Sequence, residues 1–459
     1  MDVFLISSLA EYQTSFWIPV GKKLLANGYD AAFLSFDTRS NEMFERAGLA
    51  YTDCTADARD RALAGRDPMA VCTEFGINNP NHWLTHERFA FGISDSDTLM
   101  KKLAATLLIV DGAMAKAQQD RTVRVVQELG GFLSVIGTHE AARHRGVASW
   151  FIEPSFFRGR LLFTQGSLAA TEVAPDHDGI IPPQMEAYLK ETQQSGLIVI
   201  PKKDQHQYTT ALRKVATVRN AVRLGQKLRD KYLLGKQHEF GHIGTHVKTH
   251  VTMVAESRKL RRHYTPLDNL GKFLYFPLHV PGDVALTLRS PEFLNQIAII
   301  DYLCRVAPLD MRVAVKEHPA MIGAMGSREL LELKKRYDQF AILPPSTNNY
   351  DVLRAASAVV TINSKSGAEA GSLGKKVFVL GDAFYRAAPF SIPVETLSDL
   401  EKAILALNNN SDAIGTTEDT LRFFSALWRE TFIGELYAED AANVEMFTNS
   451  MIEGTSKKK

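Results

Sequence analysis

Residue types that bind phosphate follow a short apolar run near the middle of the second half of the sequence. The run at residues 311–315 is followed directly by Lys316, Glu317, His318 and Pro319. A lysine can neutralise a phosphate group, a histidine can donate a hydrogen bond to it, and a proline stops further strand pairing. The segment therefore predicts an anion site at the end of a strand. A packed histidine in a turn explains the same residues equally well.

A second polar segment lies in a predicted turn between a strand at residues 358–362 and a helix at residues 368–373. The segment contains Asn363, Ser364, Lys365, Ser366 and Gly367, with Glu369 in the helix that follows. Serine hydroxyls and the unpaired N–H groups of a helix start can surround a phosphate. A serine that only caps the helix is the alternative. Neither a GxxxxGKS nor a GxGxxG pattern is present, which disfavours P-loop NTPases and standard dinucleotide enzymes.

Two acidic residues stand at the ends of predicted strands in different halves of the sequence. Asp283 is in the loop after a strand at residues 273–276, and Glu153 follows a strand at residues 148–152. Two carboxylates that face each other across a cleft are what acid–base or nucleophilic glycosyl chemistry requires. From spacing alone, the simpler interpretation is that either acid caps a helix or binds an arginine.

The elements that must position these residues form two blocks of alternating strands and helices. Strands in the first block are predicted at residues 3–6, 31–36, 107–110, 133–136 and 148–152, with a polar loop at residues 7–14. Strands in the second block are predicted at residues 273–276, 311–315, 341–343, 358–362 and 376–380. Such alternation is typical of parallel βαβ units, whose ligands bind at the carboxyl ends of the strands.

The predicted fold class is therefore α/β, with two Rossmann-type parallel-sheet domains, a helical insertion and a helical C-terminal tail. We expect an N-terminal domain at residues 1–180, a helical interdomain segment at 181–265, a C-terminal domain at 266–396, and helices at 397–459 that pack back on the domains. In the interdomain segment, His242, His246 and His250 are spaced to share one helix face. Gly241 and Gly244 are expected to interrupt that helix, and no carboxylate completes a ligand set, so the sequence predicts no metal site.

Composition excludes several classes of function. The formal net charge of the 459-residue chain is +1, which gives no basic field for nucleic acid. The three cysteines are far apart and are expected to be buried free thiols in a reducing compartment. The first residues lack the basic region of a signal peptide, and no stretch approaches the ~20 apolar residues of a membrane helix. We therefore expect a cytoplasmic protein.

Two basic segments leave room for contact with the inner face of the cytoplasmic membrane. One is the cluster Arg258, Lys259, Arg261 and Arg262, and the other is the lysine run at residues 457–459. Such runs attract anionic lipid, but more often they are only solvated surfaces.

Taken together, the motifs resemble the bacterial capsule polysaccharide synthesis family, which includes retaining β-Kdo (3-deoxy-manno-octulosonic acid) glycosyltransferases. The resembling segments lie between Tyr275 and Tyr385 and match in order and spacing. They are Phe276-Pro-Leu-His279-(x)3-Asp283, Val315-Lys-Glu-His-Pro319, Thr361-Ile-Asn-Ser-Lys-Ser-Gly367-(x)-Glu369-Ala370 and Gly374-Lys-Lys-Val377-(x)2-Leu380-Gly381-(x)3-Tyr385. A weaker resemblance covers residues 137–166.

The resemblance implies a GT-B fold, in which two Rossmann-type domains face each other, with a CMP-sugar donor in the C-terminal domain and a glycan or glycolipid acceptor in the N-terminal one. It implies no cofactor and no metal. It places Asp283 as nucleophile, Glu153 as general acid–base, and His318 with Lys316 at the donor phosphate. The remaining donor-site residues would be Pro319, Asn363, Ser364, Lys365, Ser366, Gly367 and Glu369.

Two other functions fit the sequence. One is a transferase with a UDP- or GDP-sugar donor, or a sugar epimerase, on the same fold. The other is a non-catalytic scaffold that binds polysaccharide or assembly partners.

Overall fold

The computed structural model describes residues 2–119, 121–173, 179–196, 225, 229–230, 233–407 and 417–456. They form two sheets, each covered by helices. The first sheet contains β1 (Val3–Ser8), β2 (Asp30–Ser35), β3 (Ala50–Asp53), β4 (Val123–Glu128), β5 (Ala148–Pro154), β6 (Arg160–Gln165) and β13 (Phe432–Ile433). Its order is β13-β6-β5-β4-β1-β2-β3. The strands from β3 to β5 are parallel, whereas β6 pairs antiparallel with both β5 and β13.

The helices of the N-terminal domain lie between these strands. They are α1 (Glu11–Ala26), α2 (Thr38–Ala47), α3 (Ala56–Leu63), α4 (Pro68–Glu74), α5 (Asn81–Phe91), α6 (Ser96–Ala117) and α7 (Leu133–Arg145). Three sequence-based predictions are wrong here. Residues 107–110 and 133–136 are not strands but parts of α6 and α7, and the predicted loop at 7–14 already contains the start of α1.

The physical reason for these errors is burial. All residues of α7 from 133 to 142 are buried, and α6 packs against α3, α4 and α7. A helix that is covered on most sides shows no apolar stripe, so its apolar runs look like those of a buried strand. The strand that lies between these two helices is β4, which the sequence analysis did not identify.

The second sheet follows the prediction closely. It contains β7 (Phe273–Pro277), β8 (Arg312–Lys316), β9 (Phe340–Ile342), β10 (Ala358–Thr361), β11 (Val377–Val379) and β12 (Ser391–Pro393). All its pairs are parallel, in the order β12-β11-β10-β7-β8-β9. The order of strands along the chain reverses between β7 and β10, and this is where doubly wound sheets bind ligands.

The remaining helices belong to the interdomain segment, the C-terminal domain and the tail. They are α8 (Pro183–Ser195), α9 (Ile243–Leu260), α10 (Val284–Thr287), α11 (Gln296–Val306), α12 (Ser327–Arg336), α13 (Asn349–Ala355), α14 (Lys365–Ser372), α15 (Leu397–Ala406), α16 (Thr417–Arg429) and α17 (Ala441–Ser456). The expectation that Gly244 interrupts the histidine-bearing helix is wrong, because α9 runs through it.

Two parts of the tail connect the domains. Phe423, Phe424 and Leu427 of α16 join a core cluster of the second sheet, whereas Phe447 and Met451 of α17 pack in the core of the first. The tail is not all-helical as expected, since β13 adds a short strand to the edge of the first sheet. Within the described residues, no helix has both the length and the apolar content needed to cross a bilayer.

The two domains also exchange apolar side chains directly. Phe156 and Phe157, which follow β5, pack in a core cluster of the second sheet, and Leu288, which follows α10, packs in the core of the first. The predicted buried thiols are confirmed, since Cys54, Cys72 and Cys304 are free and buried. The loops beside Glu153 and Asp283 are therefore held where the domains meet.

Candidate functional site

A cleft of about 680 Å³ lies between the carboxyl edges of the two sheets. It brings together ten of the eleven residues that the sequence analysis assigned to the site. They are Glu153, Asp283, Lys316, His318, Pro319, Asn363, Ser364, Lys365, Ser366 and Glu369. The eleventh, Gly367, does not line the cleft. It is buried behind the cleft wall, where a Cβ would collide with the hydroxyl of Tyr385.

The turn after β10 has the geometry of an anion-binding helix start. Ser364 is the N-cap of α14, and its Oγ accepts a hydrogen bond of 3.2 Å from the backbone N–H of Ser366. The backbone N–H of Ser364 is in turn held by Thr361 Oγ1 at 3.1 Å, and Tyr385 donates its hydroxyl to the Ser364 carbonyl. Hydrogen bonds with Thr361 and Tyr385 therefore fix the turn, while the start of α14 lines the cleft.

A buried polar network lies beside this turn. Asn349 donates through Nδ2 to Ser366 Oγ at 3.0 Å and to Glu369 Oε2 at 2.7 Å, and its Oδ1 accepts from the Tyr275 hydroxyl at 3.0 Å. Burial raises the pKa of Glu369, although the Asn349 hydrogen bond and the charge of Lys316 act in the other direction. The carboxyl of Glu369 is thus placed at the cleft wall by an amide that the sequence analysis did not single out.

Lys316 ends β8 and is only 4% exposed. Its ammonium donates to the backbone oxygen of Thr347 at 3.0 Å. Burial lowers its pKa to about 8, despite the opposing effect of Glu369. This lysine is a desolvated cation near neutral pH, which is a state that an incoming phosphate would stabilise.

The two residues after Lys316 take different directions. Glu317 is buried, accepts from the backbone N–H of Gly323 at 2.8 Å, and has its pKa raised to about 7 by burial. His318 caps the 3₁₀ turn Pro319–Met321, with its Nδ1 accepting from the Ala320 N–H at 3.3 Å. Lys316 and His318, the two side chains of the motif that were predicted to bind phosphate, both line the cleft.

The two acids predicted to do the chemistry both lie in the cleft, but neither contacts the other. Asp283 is exposed and caps α10, with Oδ1 accepting from the Ala285 N–H at 2.9 Å. Glu153, near the end of β5, is bound by Arg289 through both carboxylate oxygens, at 2.9 and 3.3 Å. Asp283 therefore caps a helix and Glu153 binds an arginine, which are the two simpler interpretations of the sequence. Both carboxylates nevertheless line the same cleft.

Asn363 and Lys365 make contacts that hold the cleft together. Asn363 Nδ2 donates to the backbone oxygen of Ala285 at 2.7 Å and to Ser290 Oγ at 3.1 Å, so it fixes α10. Lys365 Nζ donates to the backbone oxygens of Ser155 at 2.9 Å and Pro154 at 3.3 Å, across the domain boundary. Their contact with a donor remains a prediction.

Sequence reasoning missed Arg289 and His86 as site residues, although both line the cleft, and Asp382, which lies within the quoted segment Gly381-(x)3-Tyr385, lines it too. His86 lies on α5 and its Nδ1 is 2.8 Å from Thr287 Oγ1 of the other domain. Burial lowers the pKa of His86 to about 4, and burial does the same for His279, which the sequence analysis quoted only as part of a motif. These contacts join residues far apart in sequence, so no local pattern signals them.

Among the described residues, no group of three or more histidine, cysteine or acidic side chains is placed to hold a metal ion. The His242 ring packs on Phe91, with centroids 4.4 Å apart.

Comparison with known proteins gives a family match across both domains. Residues 136–391, more than half of the chain, match the family described as "Capsule polysaccharide biosynthesis protein". A curated relative, Protein FixF of Sinorhizobium fredii (strain NBRC 101917 / NGR234), is 29% identical over 188 residues, which cover 40% of this chain and 44% of FixF. The chain thus matches less than half of that relative's length.

Solved structures with similarity to the chain include two KpsC transferases from one organism. The Thermosulfurimonas dismutans KpsC beta Kdo 2,7 transferase is 16% identical with a TM-score of 0.36, and the match covers 75% of this chain and 88% of that one. The KpsC beta Kdo 2,4 transferase from the same organism is 15% identical with a TM-score of 0.37, and covers 73% and 89%. Similarity at this level does not identify what the present chain binds.

Proposed function

The chain belongs to the capsule polysaccharide biosynthesis family, and we propose that it is a glycosyltransferase that moves Kdo, or a related ulosonic acid, from a CMP-sugar to a surface-polysaccharide or glycolipid acceptor. The observation that carries the proposal is the shared cleft. One of its walls offers Lys316, His318 and the start of α14, which suit a phosphate, and Asp283 and Glu153 lie in the same cavity. The choice of CMP and Kdo rests on the sequence motifs between Tyr275 and Tyr385.

The first step of the proposed reaction cleaves the donor. The Asp283 carboxylate attacks the anomeric carbon, the bond to the phosphate oxygen breaks, and CMP leaves as an anion without needing a proton. Lys316, His318 and the N–H groups at the start of α14 stabilise the leaving phosphate, because preorganised donors act strongly in a desolvated site.

The second step transfers the sugar to the acceptor. The acceptor hydroxyl attacks the anomeric carbon, the bond to Asp283 breaks, and the proton of the hydroxyl goes to the Glu153 carboxylate. Two displacements at one carbon retain its configuration. By analogy with retaining glycosidases, the two carboxyl groups should lie about 5 Å apart when substrates are bound.

A panel of CMP-, UDP- and GDP-sugars tests the proposal. We expect calorimetric binding and slow hydrolysis with a CMP-ulosonic acid only, and an adduct of the sugar mass on the peptide that contains Asp283. Turnover with a UDP- or GDP-sugar would assign the chain to another transferase or to an epimerase. Binding of polysaccharide without hydrolysis of any donor, unchanged in Asp283→Asn, would make it a scaffold.

The proposed location is the inner face of the cytoplasmic membrane. Arg258, Lys259, Arg261 and Arg262 are all exposed at the end of α9, whereas the lysines at 457–459 lie outside the described residues. Sedimentation with vesicles tests this proposal: we expect binding to vesicles with anionic lipid that is lost in neutral vesicles and at high salt. Equal recovery with both vesicle types would contradict it.

A further inference from the structure

Arg289 belongs to the C-terminal domain, and its guanidinium makes four hydrogen bonds to residues across the cleft. Its Nη2 lies 2.9 Å from Glu153 Oε1 and its Nη1 lies 3.3 Å from Glu153 Oε2. Its Nε donates to the backbone oxygen of Leu168 at 2.7 Å, and Nη2 also reaches the oxygen of Ala169 at 3.3 Å. Every one of these partners belongs to the N-terminal domain, so the guanidinium spans the cleft.

The side chain is largely withdrawn from water, with an exposed fraction of 10%, and Glu153 has 20%. Burial alone would lower the pKa of Arg289, but the charge and hydrogen bonds of Glu153, together with the charges of Asp382 and Asp283, outweigh burial and raise it. A forked guanidinium that meets both oxygens of a carboxylate fixes its orientation as well as its charge. Each oxygen of Glu153 keeps a second lone pair, which a hydroxyl can still approach.

A short rigid connection joins this pair to the other acid of the cleft. Asp283 is the N-cap of α10, and Arg289 follows two residues after that helix ends. Asn363 holds α10 from the opposite side through the backbone oxygen of Ala285. The position of Glu153 relative to Asp283 is therefore set through α10 and the guanidinium of Arg289.

A second contact crosses the cleft beside this one but does not touch Glu153. Asp382 Oδ2 accepts from the backbone N–H of Ala170 at 2.7 Å. Asp382 and Arg289 thus hold the same loop, at residues 168–170, and differ in that only Arg289 binds the carboxylate. This pair provides a matched control.

We propose that Arg289 is a positioning residue that orients the Glu153 carboxylate toward the acceptor hydroxyl in the second step. The inference rests on the proposed function. In that step the oxygen of the hydroxyl bonds to the anomeric carbon, the bond to Asp283 breaks, and the proton moves to Glu153. In this proposal Arg289 acts through Glu153 and not on the donor, so its effect is confined to the step in which Glu153 acts.

The two steps can be measured separately. CMP release and adduct formation at Asp283, in the absence of acceptor, report the first step, and sugar transfer on addition of acceptor reports the second. We expect Arg289→Gln to keep the first rate within about threefold and to slow transfer by about 100-fold, the size of a general-base contribution. Arg289→Lys can contact one oxygen only and should lie between this variant and the wild type, with the loss in kcat and not in the KM for the donor.

A double-mutant cycle separates positioning from a general role in holding the domains together. We expect Glu153→Gln to slow transfer by about 100-fold or more, and the double variant Glu153→Gln/Arg289→Gln to be no slower than Glu153→Gln alone. Asp382→Ala removes the neighbouring contact and also a charge that acts on Arg289 and Glu153, whereas Asp382→Asn removes the charge and keeps an acceptor for the Ala170 N–H. The part of the loss that Asp382→Asn restores is due to the contact alone and should multiply with that of Glu153→Gln.

Three results would overturn the inference. They are equal slowing of both steps by Arg289→Gln, multiplication of the Arg289 and Glu153 effects, or full transfer by Arg289→Gln. If Arg289→Gln does not fold, the Arg289→Lys cycle with Glu153→Gln decides in the same way. A folded wild-type protein that cleaves no CMP-sugar would instead overturn the proposed function, and the inference with it.

Discussion

Each domain of the molecule places a lysine near buried carboxylates, and the two lysines have different neighbours. In the N-terminal domain, Lys102 Nζ lies 2.7 Å from Glu87 Oε1 and 2.6 Å from Glu239 Oε1. Glu239 is also bound by Arg59 at 3.2 Å and by the hydroxyl of Ser134 at 2.9 Å. Opposite charges therefore meet at contact distance, away from the cleft.

In the C-terminal domain, Lys316 donates to a backbone oxygen, and Glu369 accepts from the amide of Asn349. The lysine and the glutamate influence each other electrostatically, but these two hydrogen bonds join each of them to a neutral group. Both residues line the cleft.

The surroundings drive the carboxyl pKa values of the two networks in opposite directions. Burial would raise the pKa of Glu239, but the charges of Lys102 and Arg59 outweigh burial and lower it. Burial dominates at Glu369, whose pKa is raised, and at Lys316, whose pKa falls to about 8. Groups whose charged form is disfavoured, in a cleft, are typical of functional sites. We therefore expect the first network to stabilise the fold and the second to serve ligand binding.

The largest expected effect is on stability, in the N-terminal network. Lys102→Met leaves Glu87 and Glu239 buried together without their shared cation. We expect the free energy of unfolding, measured by urea denaturation, to fall by about 3–5 kcal/mol, as when one partner of a buried pair is removed. The adjacent residue supplies the control: Lys101 is exposed and pairs with Asp97 on the helix surface, so Lys101→Met should cause no measurable change. Equal losses of stability in the two variants would show that the Lys102 network stabilises the fold no more than an ion pair on the surface does.

The next effect is a pH dependence from the cleft histidines. His86 titrates near 6.5 in the unfolded chain and at about 4 in the folded protein, because burial disfavours its charged form. Between these values the unfolded state binds more protons, so the free energy of unfolding should fall as pH drops from about 6.5 to 4. At about 1.4 kcal/mol per pKa unit, His86 contributes up to roughly 3 kcal/mol of this loss.

The measurement is unfolding free energy against pH for the wild type and His86→Gln. The variant should lose stability less steeply over that window, whereas His82→Gln, on the exposed side of α5, should follow the wild type. Identical slopes for all three proteins would show that His86 is not held neutral by burial. His86 belongs to the N-terminal domain and Lys316 to the C-terminal domain. The test therefore shows whether the cleft disfavours the charged form of side chains from both domains.

A smaller effect is expected on donor binding, in the C-terminal network. Lys316→Met should weaken binding of the nucleotide-sugar by about 30-fold, the size of a hydrogen bond to a charged group, while leaving the melting temperature unchanged or raised. Donor binding by the wild type should also weaken as pH rises through about 8, where Lys316 loses its proton. Calorimetry at several pH values measures both effects. Loss of stability without loss of donor affinity would show that Lys316, like Lys102, stabilises the fold and does not bind the donor.

The sequence predicts the elements of the C-terminal domain more accurately than those of the N-terminal domain. The sequence predicts five of the six strands of the second sheet within a few residues, because each is a short apolar run followed by polar residues at the carboxyl end, and it misses the edge strand β12 (Ser391–Pro393). The cleft residues Lys316, Ser364 and Ser366 come from such local segments, and the structure brings them together. In the first domain, by contrast, two short apolar runs resemble buried strands, because α7 is buried at every residue from 133 to 142 and none of residues 107–110 of α6 is exposed.

Contacts between distant residues account for what the sequence did not reveal in the site. Arg289 meets Glu153 across 136 positions, and His86 meets Thr287 across 201. No spacing rule predicts such a pair from one sequence. For Asp283 and Glu153, spacing alone favours a helix cap or an arginine partner, and the structure shows one of each, but which arginine binds Glu153 could not be read from the sequence.

The smallest expected effect concerns the turn that carries Ser364. A Cβ on Gly367 would collide with the hydroxyl of Tyr385, which holds the Ser364 carbonyl. Gly367→Ala should therefore displace Tyr385 and cost roughly 1–3 kcal/mol of stability, the usual range for overpacking. The ring carbons of Tyr385 would collide with that Cβ as well as its hydroxyl, so Tyr385→Phe is made on its own: it removes only the hydroxyl and should bind the donor more weakly than the wild type, because the Ser364 carbonyl is no longer held. Wild-type donor affinity in Tyr385→Phe would show that the turn needs no support from the Tyr385 hydroxyl, and that the C-terminal network forms from its local sequence alone.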